Sequence, residues 1–219
     1  GYEWTSNTGG NNLHRNVIYR DDGSKAGQLE PFTTFPPLGS ADPRELWKWM
    51  GAYEQKTGGR LLAIAHNGNL SNGLMFPMIE PVSGGKLDKN YAETRMKWER
   101  LYEVTQMKGD SETHPFLSPS DEFANFERWD KSNLDGSVRK KQEMLEFEHA
   151  RSAYKNGLKL ESQLGVNPYK FGLVGSTDSH NSLSAVEENN FFGKMASSEP
   201  SPERWKHPFI QNEVSGVTY

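Results

Sequence analysis

The stretch Phe171-Gly172-Leu173-Val174-Gly175-Ser176-Thr177-Asp178-Ser179-His180 joins a short apolar run to a polar cluster. Residues 171–174 have the length and apolar character of a buried strand. Side chains two residues apart on an extended chain share a face, so Asp178 and His180 are predicted to project from the same edge of a sheet. A carboxylate and an imidazole are common ligands of zinc, manganese and iron. Asp-x-His is a frequent sequence, and a hydrogen-bonded turn is the alternative interpretation.

Outward from this stretch, short apolar segments alternate with amphipathic ones along the whole chain. Strands are predicted at residues 2–5, 16–19, 61–66, 101–106 and 170–174. Repeated strand–helix alternation is typical of a parallel sheet with right-handed crossovers, either open or curled into a barrel. The sequence therefore predicts an α/β fold in one domain that spans residues 1–219.

Four helices are predicted between these strands. The clearest begins at Pro43 behind the N-cap Asp42, has Glu45 in its first turn, runs to about residue 56 and ends at Gly58-Gly59. A second is predicted at residues 90–100 and the longest at about 138–164. A third is predicted after Ser118-Pro119-Ser120, with three aromatic residues on one face: Phe123, Phe126 and Trp129.

Composition narrows the classes of partner and site. The 219 residues carry a net charge of −4, with 25 basic and 29 acidic side chains that are well mixed. Neither a basic stripe nor a basic amphipathic helix is present, so no nucleic-acid or membrane partner is predicted. Cysteine is absent, which excludes disulfides and thiolate ligands and leaves His, Asp and Glu to bind any metal. Composition does not distinguish cytoplasm from periplasm.

Several potential metal ligands lie where predicted strands end. His66, for example, closes the apolar run 61–65, a position that packing alone explains poorly. A single His is more often a hydrogen-bonded residue than a ligand, but the carboxyl ends of parallel strands would bring these side chains to one rim. The set comprises Glu3, His14, His66, His114, Asp178 and His180.

The order of these residues resembles a known superfamily. Gly1-x-Glu3, then His14, then His66 after an apolar run, and finally Asp178-x-His180 is similar to the order in the polymerase-and-histidinol-phosphatase (PHP) superfamily. Five longer segments resemble a large bacterial family of unknown function within it: Trp4-Thr5-Ser6-Asn7, Asn12-Leu13-His14-Arg15-Asn16-Val17-Ile18, His66-Asn67-Gly68-Asn69-Leu70-Ser71-Asn72-Gly73, Lys108-Gly109-Asp110-Ser111-Glu112-Thr113-His114-Pro115 and Asn167-Pro168-Tyr169-Lys170-Phe171-Gly172. The resemblance spans essentially the whole chain.

This resemblance implies a distorted (β/α)7 barrel that holds two or three divalent ions of zinc, manganese or iron. It implies that Glu3 bridges two ions, that His14 and His66 bind the second, and that Asp178 binds the first and His180 the third. His114 has no firm counterpart and ranks lower. The opening His-x-His of the superfamily is absent, so we expect an interior piece with an incomplete barrel. Its exposed edge strand at residues 2–5 should favour self-association.

The implied activity is metal-dependent hydrolysis of phosphate esters, with a small phosphorylated molecule as substrate. Glu3 and Asp178 would act through the ions, and Arg15 would bind phosphate oxygens through its guanidinium fork, unless it forms a surface salt bridge. Lys108, Asn67 and Asn69 are lower-ranked substrate contacts.

Two alternatives stay open. Because motifs are missing, the chain could be a metal-poor remnant, or a binding or scaffold domain without turnover. Glu146-x-x-His149 has the spacing of a di-iron helix, but the second such motif that a di-iron site needs is not found. A solvent-facing helix surface is therefore predicted there.

Overall fold

A computed structural model describes residues 1–81, 84–183, 187, 189–195 and 201–219. Its main element is a six-stranded mixed sheet in the order β1-β2-β3-β4-β5, with β6 also paired to β4. A separate two-stranded sheet is formed by β7 and β8. The strands are β1 (Tyr2–Trp4), β2 (Arg15–Tyr19), β3 (Leu61–Ala65), β4 (Leu101–Gln106), β5 (Gly109–Asp110), β6 (Gly172–Gly175), β7 (Gln211–Asn212) and β8 (Val217–Thr218).

The strand directions contradict the predicted barrel. The pairs β1/β2, β2/β3 and β4/β5 are antiparallel, and only β3/β4 and β4/β6 are parallel. Within the described residues the main sheet is open, so the prediction of a distorted (β/α)7 barrel is wrong. The physical reason is that the period-two pattern of a strand is the same in both directions, so alternation of elements does not determine how strands pair.

These directions nevertheless bring several loops to one edge. Because β2 is antiparallel to both β1 and β3, the strands β1, β3, β4 and β6 all run the same way. Their carboxyl ends therefore lie at the edge where β2 begins. His14 immediately precedes β2, His66 immediately follows β3, and Asp178 lies shortly after β6.

The α-helices are α1 (Gly23–Ala26), α2 (Pro43–Thr57), α3 (Lys89–Trp98) and α4 (Ala150–Leu164), and 3-10 turns occupy Thr8–Gly10, Gly68–Leu70, Gln142–Phe147 and Arg204–Lys206. Helix α2 confirms the sequence prediction. The Asp42 side chain accepts a hydrogen bond from the Arg44 amide, and Gly58 ends the helix in the left-handed conformation. None of the helices in the described part of the chain is long and apolar enough to cross a bilayer.

Two helix predictions are wrong. The segment after Ser120 consists of turns, and Phe123 is 76 % exposed, so its aromatic residues do not form a buried helical face. The predicted helix 138–164 is divided into the 3-10 turn Gln142–Phe147 and α4, because His149 adopts an extended conformation as the N-cap. His149 is buried, so the predicted solvent-facing surface is also wrong there.

The core consists of two apolar clusters. One packs α2 against β1, β2 and β3, with Trp4, Val17, Leu46, Met50 and Ala63 among its members. The other packs α4 against β4 and includes Phe76, Tyr102, Ala153, Leu160 and Phe171. The second cluster also supports the loop after β3, because its Tyr102 Oη accepts from the Gly68 amide.

Candidate metal centre

Glu3, His14 and His66 meet at the shared edge of the sheet. In the strand register Glu3 pairs with Asn16, and Asn16 pairs with Ile64, so these three positions share one face. The two histidines lie two residues from Asn16 and Ile64 and therefore project to the same face. The Glu3 Oε1 atom is 3.1 Å from His14 Nδ1 and 2.9 Å from His66 Nε2. Their potential ligand atoms all lie within 4.8 Å of one another.

Both ring nitrogens of His14 lie within hydrogen-bond distance of an oxygen. Its Nδ1 is 3.1 Å from Glu3 Oε1, and its Nε2 is 2.7 Å from Asn7 Oδ1. Neither oxygen can donate, so a neutral ring, which carries one N–H, satisfies only one of the two contacts. Burial lowers the pKa of His14, although Glu3 opposes this effect, and the ring therefore favours its neutral form. With the proton on Nε2 and donated to Asn7, the Nδ1 lone pair would face the Glu3 carboxylate, and a cation between the two would remove the repulsion.

His66 is a buried side chain whose ring nitrogens have no hydrogen-bond partner among the described residues. Its side chain is 1 % exposed. Although Nε2 is 2.9 Å from Glu3 Oε1, the angle does not allow a hydrogen bond, and neither ring nitrogen is hydrogen-bonded to any described residue. Leaving a buried polar group unpaired costs about 1–3 kcal/mol, so such groups normally have a partner. A metal ion bound to Nε2 would give that nitrogen the partner that it lacks.

Glu3 supplies the negative charge of this group. Burial alone would raise its pKa, but the hydrogen bond with His14 and the electrostatic interactions with His14 and His66 hold the pKa of Glu3 well below its usual range. One carboxylate oxygen and two imidazole nitrogens are a donor set that suits zinc, whose bonds of about 2.0–2.2 Å place tetrahedral ligand atoms about 3.3 Å apart. The observed distances from Glu3 are close to this value, and the three residues fit a divalent ion.

Asp178 lies at the same edge but has different partners. Its Oδ2 atom is 2.7 Å from Lys108 Nζ and also bonds Lys194 Nζ. Burial would raise the pKa of Asp178, but the two lysines lower it below its usual range. His180 is 43 % exposed, and its Nδ1 atom is 2.7 Å from the Asp178 backbone oxygen. The described residues therefore do not bring Asp178 or His180 into the three-residue group.

The group of three potential ligands interacts electrostatically with the lysines that bind Asp178. Lys108 acts on the charge of His14, and Lys194 interacts with Glu3. Glu103 of β4 interacts with His66, Asp178 and Lys108. The three potential ligands and the pair of lysines on Asp178 are thus coupled by charge at the same edge of the sheet.

Glu103 and Lys194 are site residues that the sequence interpretation missed. Glu103 is buried, its Oε1 atom has no hydrogen-bond partner among the described residues, and burial raises its pKa. The available signal was a charged residue between Tyr102 and Val104 in a predicted strand. Lys194 lies between Phe191-Phe192-Gly193 and Met195, outside the predicted strands, and gave no comparable signal.

Arg15 lies on the opposite face of the sheet from Glu3. It pairs in register with Trp4 and Ala65, which belong to the packed face. Its Nε atom donates to Glu99 Oε1 at 2.9 Å, and Arg95 Nη2 is 3.1 Å from Glu99 Oε2. Arg15 therefore belongs to a buried Arg15–Glu99–Arg95 triad and does not form a surface salt bridge.

The lower-ranked residues have mainly structural contacts. Asn67 Oδ1 accepts from Gln106 Nε2 at 2.7 Å, and Asn69 Nδ2 donates to the Lys108 backbone oxygen at 3.0 Å. Both amides therefore hold the loop after β3 against the loop after β4. His114 Nε2 lies 3.0 Å from Asp130 Oδ2, and its ring lies beside that of His149.

Comparison with known families gives one match. The model of a family described as "Protein of unknown function (DUF3604)" matches residues 1–219, and the chain belongs to this family. No curated protein and no solved structure gives a significant match. The geometry of the site is therefore the basis on which a function can be argued.

Proposed function

We propose that this member of the DUF3604 family is a metal-dependent hydrolase that cleaves phosphate esters with water as the nucleophile. The observation that carries the proposal is His66, whose two ring nitrogens are buried without a hydrogen bond beside the anionic Glu3. The motif order that resembles the PHP superfamily supports phosphate esters as the substrate class.

In this proposal one divalent ion of zinc, manganese or iron is held by Glu3, His14 Nδ1 and His66 Nε2. When bound, such an ion polarises a phosphoryl oxygen and makes water a better nucleophile near neutral pH. With the proton of His14 on Nε2, the hydrogen bond to Asn7 would orient the ring and keep Nδ1 directed at the ion. Glu3 is partly exposed, which leaves an open side for water and substrate.

A second candidate is a metal-binding domain without turnover. The observation that favours it is the pairing of Asp178 with Lys108 and Lys194, because a carboxylate engaged by two ammonium groups is not poised to hold a second ion. The same purified protein distinguishes the two candidates, since both require metal and only one requires reaction.

The test combines metal binding with activity. We expect about one equivalent of zinc or manganese per chain by mass spectrometry of the metal after dialysis. Glu3→Gln should weaken metal binding at least tenfold, because it removes the anionic ligand with little change in shape. Asn7→Leu should weaken it by about 10–100-fold through loss of the hydrogen bond that orients His14. Glu30→Gln is the matched control, because Glu30 is exposed outside the site.

Each outcome decides between the candidates. A wild-type protein that retains no metal contradicts both of them. Metal binding that depends on Glu3, without hydrolysis of any member of a broad panel of phosphomonoesters and phosphodiesters, favours the binding domain. Hydrolysis that is lost in Glu3→Gln and retained in Glu30→Gln supports the hydrolase.

A further inference from the structure

Two buried lysines converge on one carboxylate beside the candidate metal centre. Lys108 is 6 % exposed and Lys194 is 2 % exposed. Both bring their ammonium groups to the same oxygen, Oδ2 of Asp178. A buried ammonium group normally has a full counter-charge, and here one carboxylate serves two. The pair therefore has an excess of positive charge at the edge of the sheet.

The backbone fixes both lysines in place. Lys194 is tied to the loop after β6 because its backbone oxygen accepts from the His180 amide at 2.8 Å. The neighbouring Gly193 oxygen accepts from Asn181 Nδ2, also at 2.8 Å. Lys108 is held on the other side, where its amide donates to Gln106 Oε1 at 2.9 Å. The two ammonium groups are thus positioned by different loops at one point.

The lysines act electrostatically on the potential metal ligands. Lys194 interacts with Glu3, and Lys108 acts on His14. The charges of the two carboxylates Glu3 and Asp178 are cancelled by those of the two lysines. A divalent ion would then give the site two positive charges, which would balance the two negative charges of a phosphomonoester dianion. Burial raises the pKa of Glu103, which favours its uncharged form and limits its effect on this balance.

We propose that Lys108 and Lys194 form the phosphoryl-binding subsite, and that the substrates carry a terminal, dianionic phosphate group. Each ammonium group has three N–H donors, so both lysines can bind phosphoryl oxygens while Asp178 keeps them in position. Asp178 is then a positioning residue. A phosphodiester has a single negative charge and would leave one positive charge unbalanced in a buried site. This inference rests on the proposed function, because a phosphate held by the lysines would have to reach the metal as well.

The experiment measures binding of inorganic phosphate to the manganese-loaded protein. Titration calorimetry gives the affinity, and broadening of the ³¹P resonance reports whether phosphate lies near the ion. Lys108→Gln and Lys194→Gln should each weaken phosphate binding at least tenfold while manganese stoichiometry stays unchanged. Lys48→Gln should have no effect, because Lys48 is an exposed residue of α2. Dimethyl phosphate, a monoanion, should bind at least tenfold more weakly than phosphate.

The outcomes separate this inference from the proposed function. A wild-type protein that binds no manganese overturns both. Normal manganese binding, together with unchanged phosphate affinity in both glutamine variants, overturns the lysine subsite alone. Equal affinity for dimethyl phosphate and phosphate overturns the preference for a dianion. Because Lys194→Gln removes a buried charge, its folding is checked by circular dichroism. If Lys194→Gln does not fold, Lys108→Arg replaces it as the second variant. Lys108→Arg keeps the positive charge and should therefore retain phosphate binding while Lys108→Gln loses it.

Discussion

The buried Arg15–Glu99–Arg95 triad makes a prediction about charge balance. Glu99 accepts hydrogen bonds from Arg15 Nε and from Trp47 Nε1, each at 2.9 Å, and forms an ion pair with Arg95. Burial would raise the pKa of Glu99, but the two arginines lower it, so it is an anion between two cations. Glu99→Gln leaves two buried guanidinium groups without a counter-charge. Arg15→Gln leaves a balanced pair of Arg95 and Glu99.

The structure therefore predicts unequal effects of the two substitutions. Removing one partner of a buried ion pair costs about 3–5 kcal/mol, which we expect for Glu99→Gln. Loss of one hydrogen bond to a charged group costs about 1.5–3 kcal/mol, which we expect for Arg15→Gln. The unfolding entropy of a chain of 219 residues is about 0.46 kcal/mol/K. The midpoint of thermal unfolding should then fall by about 7–11 °C for Glu99→Gln and by about 3–7 °C for Arg15→Gln.

The assay is urea unfolding followed by tryptophan fluorescence, with calorimetry for the thermal midpoints. Metal affinity is measured on the same samples. We expect Arg15→Gln to leave metal affinity and phosphate affinity within about twofold of wild type, because its side chain lies on the opposite face of the sheet from Glu3. The triple variant Arg15→Met, Glu99→Leu and Arg95→Met should recover much of the lost stability, since apolar residues can replace a buried ionic group.

Two results would refute this reasoning. One is an Arg15→Gln variant that is at least as unstable as Glu99→Gln, which would show that the triad is not governed by charge balance. The other is an Arg15→Gln variant of normal stability that has lost phosphate affinity. That result would return Arg15 to the substrate site that the sequence first suggested.

Two further predictions concern acid stability and association. Burial lowers the pKa of His149 to about 4, below its unfolded value of about 6.5. The neutral buried ring therefore contributes fully to the free energy of unfolding above pH about 6.5. This contribution of about 3 kcal/mol is lost as the pH falls to about 4. Urea unfolding at pH 7.5 and 4.5 should show this loss in wild type and a smaller loss in His149→Gln; equal losses would contradict it. Strand β1 lies at one end of the described main sheet, so we expect self-association there. Light scattering that shows a monomer at every concentration would refute that expectation.

Local signals predicted local structure well. The beginning and end of α2 followed from Asp42, Pro43 and Gly58, because capping depends on residues that are adjacent in sequence. The break before α4 did not follow, because it accompanies a buried ion pair between Lys140 and Glu148 that periodicity does not reveal. The apolar pattern also does not predict strand direction. The barrel prediction assumes that all strands are parallel, and it is incorrect for that reason.

In the candidate site, too, the residues with a local sequence signal could be predicted, and those placed by tertiary contacts could not. Glu3, His14 and His66 could be singled out because each is a potential ligand near the end of an apolar segment. Arg15 was assigned to the site through its adjacency to His14, but neighbouring residues on a strand project to opposite faces. Lys194 could not be found, because its position depends on a tertiary contact with Asp178.

The loop after His66 has a consequence for the thermodynamics of binding. Its residues from Asn67 to Ser71 are almost entirely buried, which is unusual for a connection at the edge of a sheet. The Gly68 amide donates to Tyr102 Oη at 3.0 Å, and the Gly73 amide donates to Glu148 Oε1 at the same distance. Such a loop has already lost its conformational freedom when the chain folds. The loop is therefore preorganised before a ligand binds, and little further conformational entropy is lost when His66 binds it.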